Sequence, residues 1–392
     1  MQNLLVKNRL KIMKKPIKIA MLIQAYHPRV GGAEKQLAYI APRLQSGGFE
    51  VHVITRRFAG LKPFEMVDGV PVHRLPIAGS KPAAAASYIF AALNLIRRLS
   101  PDVLHAHDLL STSTTAIVAS SLLGSKVVST AHRGGTLGDV YILSHRFLGP
   151  QRMNLVSRRV DKFITISREI DAELGLNGVD SSKRVNIPNG VDVDRFVPLL
   201  DNQREALRQT LDLKAASPIV IYAGRLVPEK RVEHLVSIWP SIRAVFPHAV
   251  LLVLGTGEME PFLRANASEG VRFEGSIEDV TPYLQIADLF VLPSVAEGLP
   301  VSILEALATK VPVVATQVGG VPDIIEHGYN GWLVPPDNPS ALRDALLLLL
   351  RQPLLLSKLA ENGREYVLHN HGLSEIAHRL GQVYNNLVAN PA

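Results

Sequence analysis

The 392-residue chain contains no cysteine, so a disulfide frame, a thiolate nucleophile and a Cys-ligated zinc are all excluded. Aromatic residues make up only 6% of the chain, and no basic segment is interleaved with them. Stacking platforms for single-stranded nucleic acid are therefore poor. Apolar runs stay short, the longest lying around residues 117–123 and 345–350, well below the roughly 18 residues of a spanning helix. The first dozen residues lack the apolar core of a signal peptide and carry Lys7, Arg9 and Lys11. They read as an extension, residues 1–15, ahead of the first strand. What remains is the composition of a packed globular protein, with 47% apolar and 20% charged residues. At roughly 150 residues per domain the length suits two or three domains.

Charge is unevenly shared. Residues 1–200 hold 27 Lys+Arg against 14 Asp+Glu, a net of +13, and residues 201–392 hold 15 against 21, a net of −6. A basic first half calls for an anionic partner. With so few aromatics, an anionic membrane face or a phosphorylated acceptor suits it better than nucleic acid; a solvated basic surface is the plain alternative. Missing cysteine is compatible with a reducing compartment, so the expected location is cytoplasmic, peripheral to the inner face of the plasma membrane.

Short β-like runs alternate with helical stretches. Strands are expected near residues 17–23, 51–54, 70–73, 103–105, 126–130, 163–166 and 184–187, with helices near 33–44, 83–99, 112–123 and 148–160. A Ser/Asp/Gln-rich stretch, in which residues 205–211 suit a short helix, interrupts the rhythm, which restarts with strands near 219–223, 250–254, 271–273, 289–292 and 312–315. The expected fold class is α/β: two doubly wound Rossmann-like domains facing across a cleft. The expected divisions are 16–199, a linker at 200–217, a second domain at 218–370, and a helix at 371–392 crossing back to the first. Ligands of this architecture bind beyond the carboxyl ends of the strands.

Two segments at such ends carry chemistry. Gly224-Arg225 and Lys230 follow a strand within one loop. A planar guanidinium and a mobile ammonium together suit a diphosphate, whereas a loop with two solvated charges is the bland alternative. The second segment runs from Glu297-Gly298-Leu299-Pro300 through Val301-Ser302 to Glu305. Pro300 suits a helix start, whose free amides around Leu299, Val301 and Ser302 can receive phosphate. Glu305 is placed to reach a ribose and Glu297 an outer sugar. A Glu pair alone is ordinary surface charge, but beside the Gly-Arg-x4-Lys loop the four charges fit a sugar–diphosphate–nucleoside.

These residues resemble the donor-site motifs of family 4 retaining glycosyltransferases of the GT-B fold. The resemblance extends through residues 313–323 and 330–334, and in the first half through Gly31-Gly32-Ala33-Glu34 and residues 187–192. It implies that Arg225 and Lys230 bind the donor diphosphate, Glu305 the ribose and Glu297 the transferred sugar. It further implies a base-contacting loop at Gly275-Ser276-Ile277, and His132 beside the reacting sugar or its β-phosphate. His107 is taken as an acceptor-side residue, and His105 as structural. Gly31-Gly32 either approaches a phosphate or makes a tight turn with positive φ. Asp192-Val193-Asp194 spells a metal-binding pattern, but it leads into the expected linker, and protein cations already supply the charge. No metal and no cofactor are expected.

The function read from this is a retaining glycosyltransferase, moving a sugar from a nucleoside-diphosphate sugar to a saccharide or lipid-linked acceptor in bacterial surface polysaccharide, lipopolysaccharide or glycolipid synthesis. A GT-B-fold sugar-nucleotide epimerase and a non-catalytic nucleotide-sugar-binding subunit are the alternatives. Acceptor contacts are expected from residues 61–68, 79–86 and 134–146.

Overall fold

A computed structural model of the chain describes residues 15–29, 31–77, 81–145, 147–213 and 218–389, with the backbone alone for 81–86. The expected extension up to residue 14 and Arg146 lie outside the described residues. The first unit runs β1 (Lys18–Leu22), α1 (Gly32–Ser46), β2 (Glu50–Arg56), β3 (Phe64–Val67), β4 (Val70–Leu75), α2 (Lys81–Leu99), β5 (Val103–Ala106) and α3 (Ser111–Leu123). It continues with β6 (Lys126–Ala131), α4 (Asp139–Ser144), α5 (Gly149–Arg159), β7 (Lys162–Thr165), α6 (Arg168–Leu176) and β8 (Arg184–Asn186). After α7 (Asp201–Thr210), the second unit runs β9 (Ile219–Ala223), α8 (Val232–Val245), β10 (Val250–Leu254), α9 (Glu260–Ala265), β11 (Val271–Gly275), α10 (Thr281–Ile286) and β12 (Leu289–Leu292). It closes with α11 (Val301–Ala308), β13 (Val313–Thr316), α12 (Val321–Ile324), β14 (Trp332–Val334), α13 (Pro339–Leu350), α14 (Pro353–Asn370) and α15 (Leu373–Ala389).

The first sheet is ordered β3-β4-β2-β1-β5-β6-β7-β8 and the second β11-β10-β9-β12-β13-β14. Every described pairing is parallel except β3 with β4. Strands such as Ile19–Leu22 and Leu289–Leu292 are buried along their length, as a sheet covered on both faces requires. Each such side chain contributes roughly 1.5–3 kcal/mol when removed from water. In both sheets the order of strands reverses beside one central strand: β1 lies between β2 and β5, and β9 between β10 and β12. A crevice therefore opens beyond the ends of β1 and β5 in one unit, and of β9 and β12 in the other.

Two local features differ from the sequence expectation, and a third, the linker helix, starts earlier than the one its sequence suggests at residues 205–211. Residues 61–68, expected as a loop, include β3, which makes an antiparallel hairpin with β4 through Asp68 and Gly69, both at positive φ. An Asp-Gly pair between apolar runs supports this turn, which matches the strands' twist. The expected linker holds α7, whose Arg204 and Arg208 both bond Asp288 and so fasten the helix to the second unit. Their spacing of one helical turn brings both guanidinium groups to one carboxylate. Residues 134–146, also expected as loop, contain α4.

The chain returns to the first unit at its end. Val191 N donates to the His371 carbonyl, and Leu373 N donates to the Val191 carbonyl, where α15 begins. α15 packs on α1, and Tyr384 is fully buried beneath the first sheet with an edge-on contact to Phe49. Among the described residues no helix is long and apolar enough to cross a membrane.

Candidate active site

The second unit supplies a charged wall. The backbone turns at Gly224, where a Cβ would lie 2.7 Å from the Tyr222 hydroxyl, which itself donates to the Arg225 carbonyl. A short 3-10 turn, Pro228–Lys230, then points Lys230 at the segment after β12. Lys230 Nζ lies 2.6 Å from Glu297 Oε1, and Ser294 Oγ donates to the same oxygen at 2.6 Å. The Glu297 side chain is only 8% exposed and that of Lys230 16%, so this pair is screened less than a surface pair. Arg225 is 53% exposed and is steadied by Glu229 at 3.1 Å. Pro300 stands just before α11, so the amides of Val301 and Ser302 form the helix's open first turn. The side chains of Leu299 and Val301 are buried behind them, and Ile277 packs against the core after β11.

The first unit supplies a neutral wall. His105 ends in β5, His107 follows it, and His132 follows β6, so three imidazoles stand side by side at neighbouring strand ends. The His107 ring stacks on His105 at 4.3 Å and lies 5.4 Å from His132. His107 Nδ1 and His132 Nε2 share a hydrogen bond of 3.1 Å. His105 is fixed from behind by the Tyr384 hydroxyl at 2.6 Å and by Thr130 at 2.7 Å. Burial holds all three below the ordinary imidazole range, His105 at about 3, His132 at about 4, and His107 well below 6.5. They are neutral donors and acceptors at pH 7, not cations. Asp139, at the start of α4, accepts from Leu109 N, and burial followed by the nearby Asp108 pushes its carboxyl up to about 7.

His107 orients His132 through their shared hydrogen bond, and its Nε2 is buried without a hydrogen-bond partner among the described residues. Gly31 departs from the tight-turn reading. Its φ is −140°, and the space a Cβ would fill is taken by the Glu34 carboxylate, at 2.2 Å. Glu34 thus curls over the first turn of α1, and Arg225 is one of the charges acting on it. Gly32, by contrast, has open space in front of it.

The walls meet at named atoms. A Cβ on Gly298 would lie 2.0 Å from the His132 carbonyl oxygen, so only glycine permits this approach. Asn189 Nδ2 donates to the Leu299 carbonyl at 2.7 Å, and Arg168 binds Asp323 through both backbone and side chain. Arg133 reaches across to Glu229, the carboxylate that also holds Arg225. The sequence reading passed over Arg133; its place directly after His132, at a strand end facing the cleft, was the available signal. Glu305, expected to face a ribose, is 1% exposed, with Oε1 paired to Lys35 at 2.5 Å and accepting from the Tyr39 hydroxyl at 3.2 Å. Its helical phase turns it toward α1, so a ribose at this position competes with Lys35. Asp192 is likewise engaged, by Arg43 and by the amides of Asp194 and Arg195.

The sequence model of Glycosyltransferase Family 4 matches residues 30–195, and that of Glycosyl transferases group 1 matches residues 217–352. The putative teichuronic acid biosynthesis glycosyltransferase TuaC of Bacillus subtilis is 30% identical over 310 residues, covering 74% of each chain. The GDP-mannose-dependent monoacylated alpha-(1-6)-phosphatidylinositol monomannoside mannosyltransferase of Corynebacterium glutamicum is 26% identical over 366 residues, covering 89% of this chain and 93% of the relative. Among solved structures, Anabaena HepE in complex with UDP-glucose superposes with a TM-score of 0.80 at 20% identity, covering 95% of this chain and all of that one.

Proposed function

The chain belongs to the family 4 glycosyltransferases of GT-B fold, and we propose that it moves a sugar, with retention, from a nucleoside-diphosphate sugar to a lipid-linked or saccharide acceptor. The observation that carries this reading is the convergence of Lys230, Glu297 and the start of α11 on one wall, with Gly298 held against His132 of the other. The solved complex of HepE with UDP-glucose and the phosphatidylinositol-mannoside activity of the Corynebacterium relative support the donor and acceptor classes.

On this reading the leaving diphosphate gathers negative charge as the glycosidic bond breaks. Lys230, Arg225 and the amides of Val301 and Ser302 face that charge from a fixed frame and need little reorganisation. Such preorganised donors are worth roughly 2.7–4 kcal/mol each in a barrier. Glu297, already aligned by Ser294 and Lys230, accepts hydroxyls of the transferred sugar. His132, neutral and aligned by His107, holds the opposite side of the sugar without adding a second positive charge. Because Arg225 and Lys230 already face the diphosphate with positive charge, no divalent metal is required. Retention follows from the family resemblance: attack comes on the face that the diphosphate leaves.

The test is transfer from a panel of nucleotide sugars to a mixed pool of lipid-linked and free saccharides in the presence of a chelator, with NMR of the product's anomeric proton. Glycoside formed with the donor's configuration supports the proposal. Recovered donor that has changed only its ring stereochemistry identifies an epimerase, and binding without turnover identifies a carrier.

A further inference from the structure

Residues 81–160 carry nine Lys+Arg and only three acids, Asp102, Asp108 and Asp139. None of the three belongs to α2, α3 or α5: the exposed Asp102 accepts from Lys18 N at the start of β1, and Asp108 and Asp139 sit at the cleft end with their carboxylates bonded to backbone amides. α2, α3 and α5 pack side by side on one face of the first sheet. The three helices therefore contribute no carboxylate of their own, and the nearest ones at the arginine end, Asp102 and Asp161, are engaged by Lys18 N and by Lys126 with Val127 N.

What it presents instead is cation and hydrocarbon at helical spacing. On α2, Phe90 is 70% exposed and Arg97 and Arg98 follow about two turns later. α3 carries no charged residue, and its Leu122 is 72% exposed. On α5, Leu155 is half exposed ahead of exposed Arg158 and Arg159. The turn entering α5 exposes Phe147 by 88% and Leu148 by 51%. Arg159 donates to Ser121 of α3, which sets the cationic ends of the two helices beside Leu122. Among the described residues no carboxylate pairs with Arg97, Arg98, Arg152, Arg158 or Arg159.

We propose that the outer face of α2, α3 and α5 is the surface by which the protein docks on an anionic lipid bilayer. A protein partner with an acidic patch would balance the arginines, but large apolar side chains exposed singly along three neighbouring helices suit an interface that is itself fluid. Apolar side chains enter the headgroup boundary while arginines hold lipid phosphates. The geometry also gives the docking a purpose, and here it rests on the lipid-linked acceptor of the proposed function. α4 joins Phe147 to the His132 loop, and its Asp139 bonds Leu109 beside the cleft, so lipid contact at Phe147 brings the acceptor-side wall to the membrane. Of the basic pairs in the first half, the structure selects Arg97-Arg98 and Arg158-Arg159. Arg56 instead lies against the buried Tyr88 ring.

The test is flotation of the full chain with vesicles of phosphatidylcholine alone or mixed with phosphatidylglycerol, with no donor present. The wild type is expected to float with the anionic vesicles only, and less as salt rises. Arg158→Glu/Arg159→Glu should lower the bound fraction at least tenfold, and Phe147→Ser/Leu148→Ser several-fold, with thermal unfolding unchanged. Equal flotation of wild type and both variants, absence of binding at low salt, or a wild-type dimer that both variants dissolve would each overturn the proposal. Stabilisation by a nucleotide sugar, measured on the same preparations, stays intact if only the docking face is wrong and disappears if the glycosyltransferase reading itself is wrong.

Discussion

The two halves of the cleft are built on the same plan and do opposite electrostatic work. Each places its residues at the point where strand order reverses, beyond β1 and β5 in one sheet and β9 and β12 in the other. The second half sets Arg225, Lys230 and Glu297 there as a cluster of ion pairs, with Lys230 and Glu297 largely withdrawn from water. The first half sets three histidines there and keeps them neutral by burial. On the proposed reading, a single fold confines charge stabilisation to the wall that would hold a leaving diphosphate, and leaves shape and neutral hydrogen bonds to the wall that would receive an acceptor. Outside the cleft the contrast reverses: the first half carries the excess of positive charge.

The contrast breaks most severely at Lys230. Lys230→Ala removes the cation and leaves Glu297 without its partner, so turnover should fall at least a hundredfold. Arg225→Ala, at a position half open to solvent, should cost less, in the range of tens. Steady-state transfer, with circular dichroism as the folding control, measures both. Wild-type-like turnover in Lys230→Ala would remove the charged wall from the account.

Gly298 tests whether the walls must touch. A methyl group there would stand 2.0 Å from the His132 carbonyl, and overpacking of that kind costs roughly 1–3 kcal/mol. Gly298→Ala should open the cleft and lower kcat/KM by ten- to hundredfold. Unfolding of the second half should stay close to wild type, because Gly298 packs against the other unit.

The neutral wall has a pH signature. His105 and His132 titrate near 3 and 4 in the fold against 6.5 unfolded, so the unfolded chain takes up protons first as pH falls. Their stability contribution is complete above pH 6.5 and lost progressively toward pH 4. Asp139 has the opposite sign: raised to about 7 from 3.8, it contributes fully below pH 3.8 and loses that contribution as pH rises through 7. Asp139→Asn should therefore raise the melting temperature relative to wild type more at pH 8 than at pH 5. A melting temperature flat from pH 7 to 4.5 in Asp139→Asn, where the opposing carboxyl is gone, would contradict neutral, buried histidines.

The smallest expected effect on turnover lies at Lys35. Lys35→Met leaves the buried Glu305 carboxylate with the Tyr39 hydroxyl in place of its cation on α1, and should loosen the contact of α1 with α11, seen as a larger radius in small-angle scattering. Unfolding free energy should fall by roughly 3–5 kcal/mol, since the carboxylate left behind is buried.

Legibility in the sequence followed the same division. The Gly224–Lys230 loop and the Glu297–Glu305 segment could be read because both partners of Lys230–Glu297 sit in short local motifs at strand ends. β3 is signalled by Asp68-Gly69 but is hard to read as a strand, because none of its four residues is buried and its apolar Phe64 and Met66 face solvent. The support of His105 by Tyr384 spans 279 positions, and that of Glu305 by Tyr39 spans 266. No periodicity or local motif encodes such contacts; they arise when α15 and α1 pack. Gly298 was legible as part of a motif, but its reason, contact with the His132 carbonyl, belongs to the meeting of two units.

The central claim is that a nucleotide sugar binds between these walls through protein cations. Calorimetric titration of wild type and Lys230→Ala with a panel of nucleotide sugars, in a strong chelator, tests it most directly. The account predicts saturable binding of at least one donor to wild type, undiminished by the chelator and weakened tenfold or more in the variant. Binding that is absent from the whole panel, equal in the two proteins, or dependent on added Mg²⁺ or Mn²⁺ would contradict it.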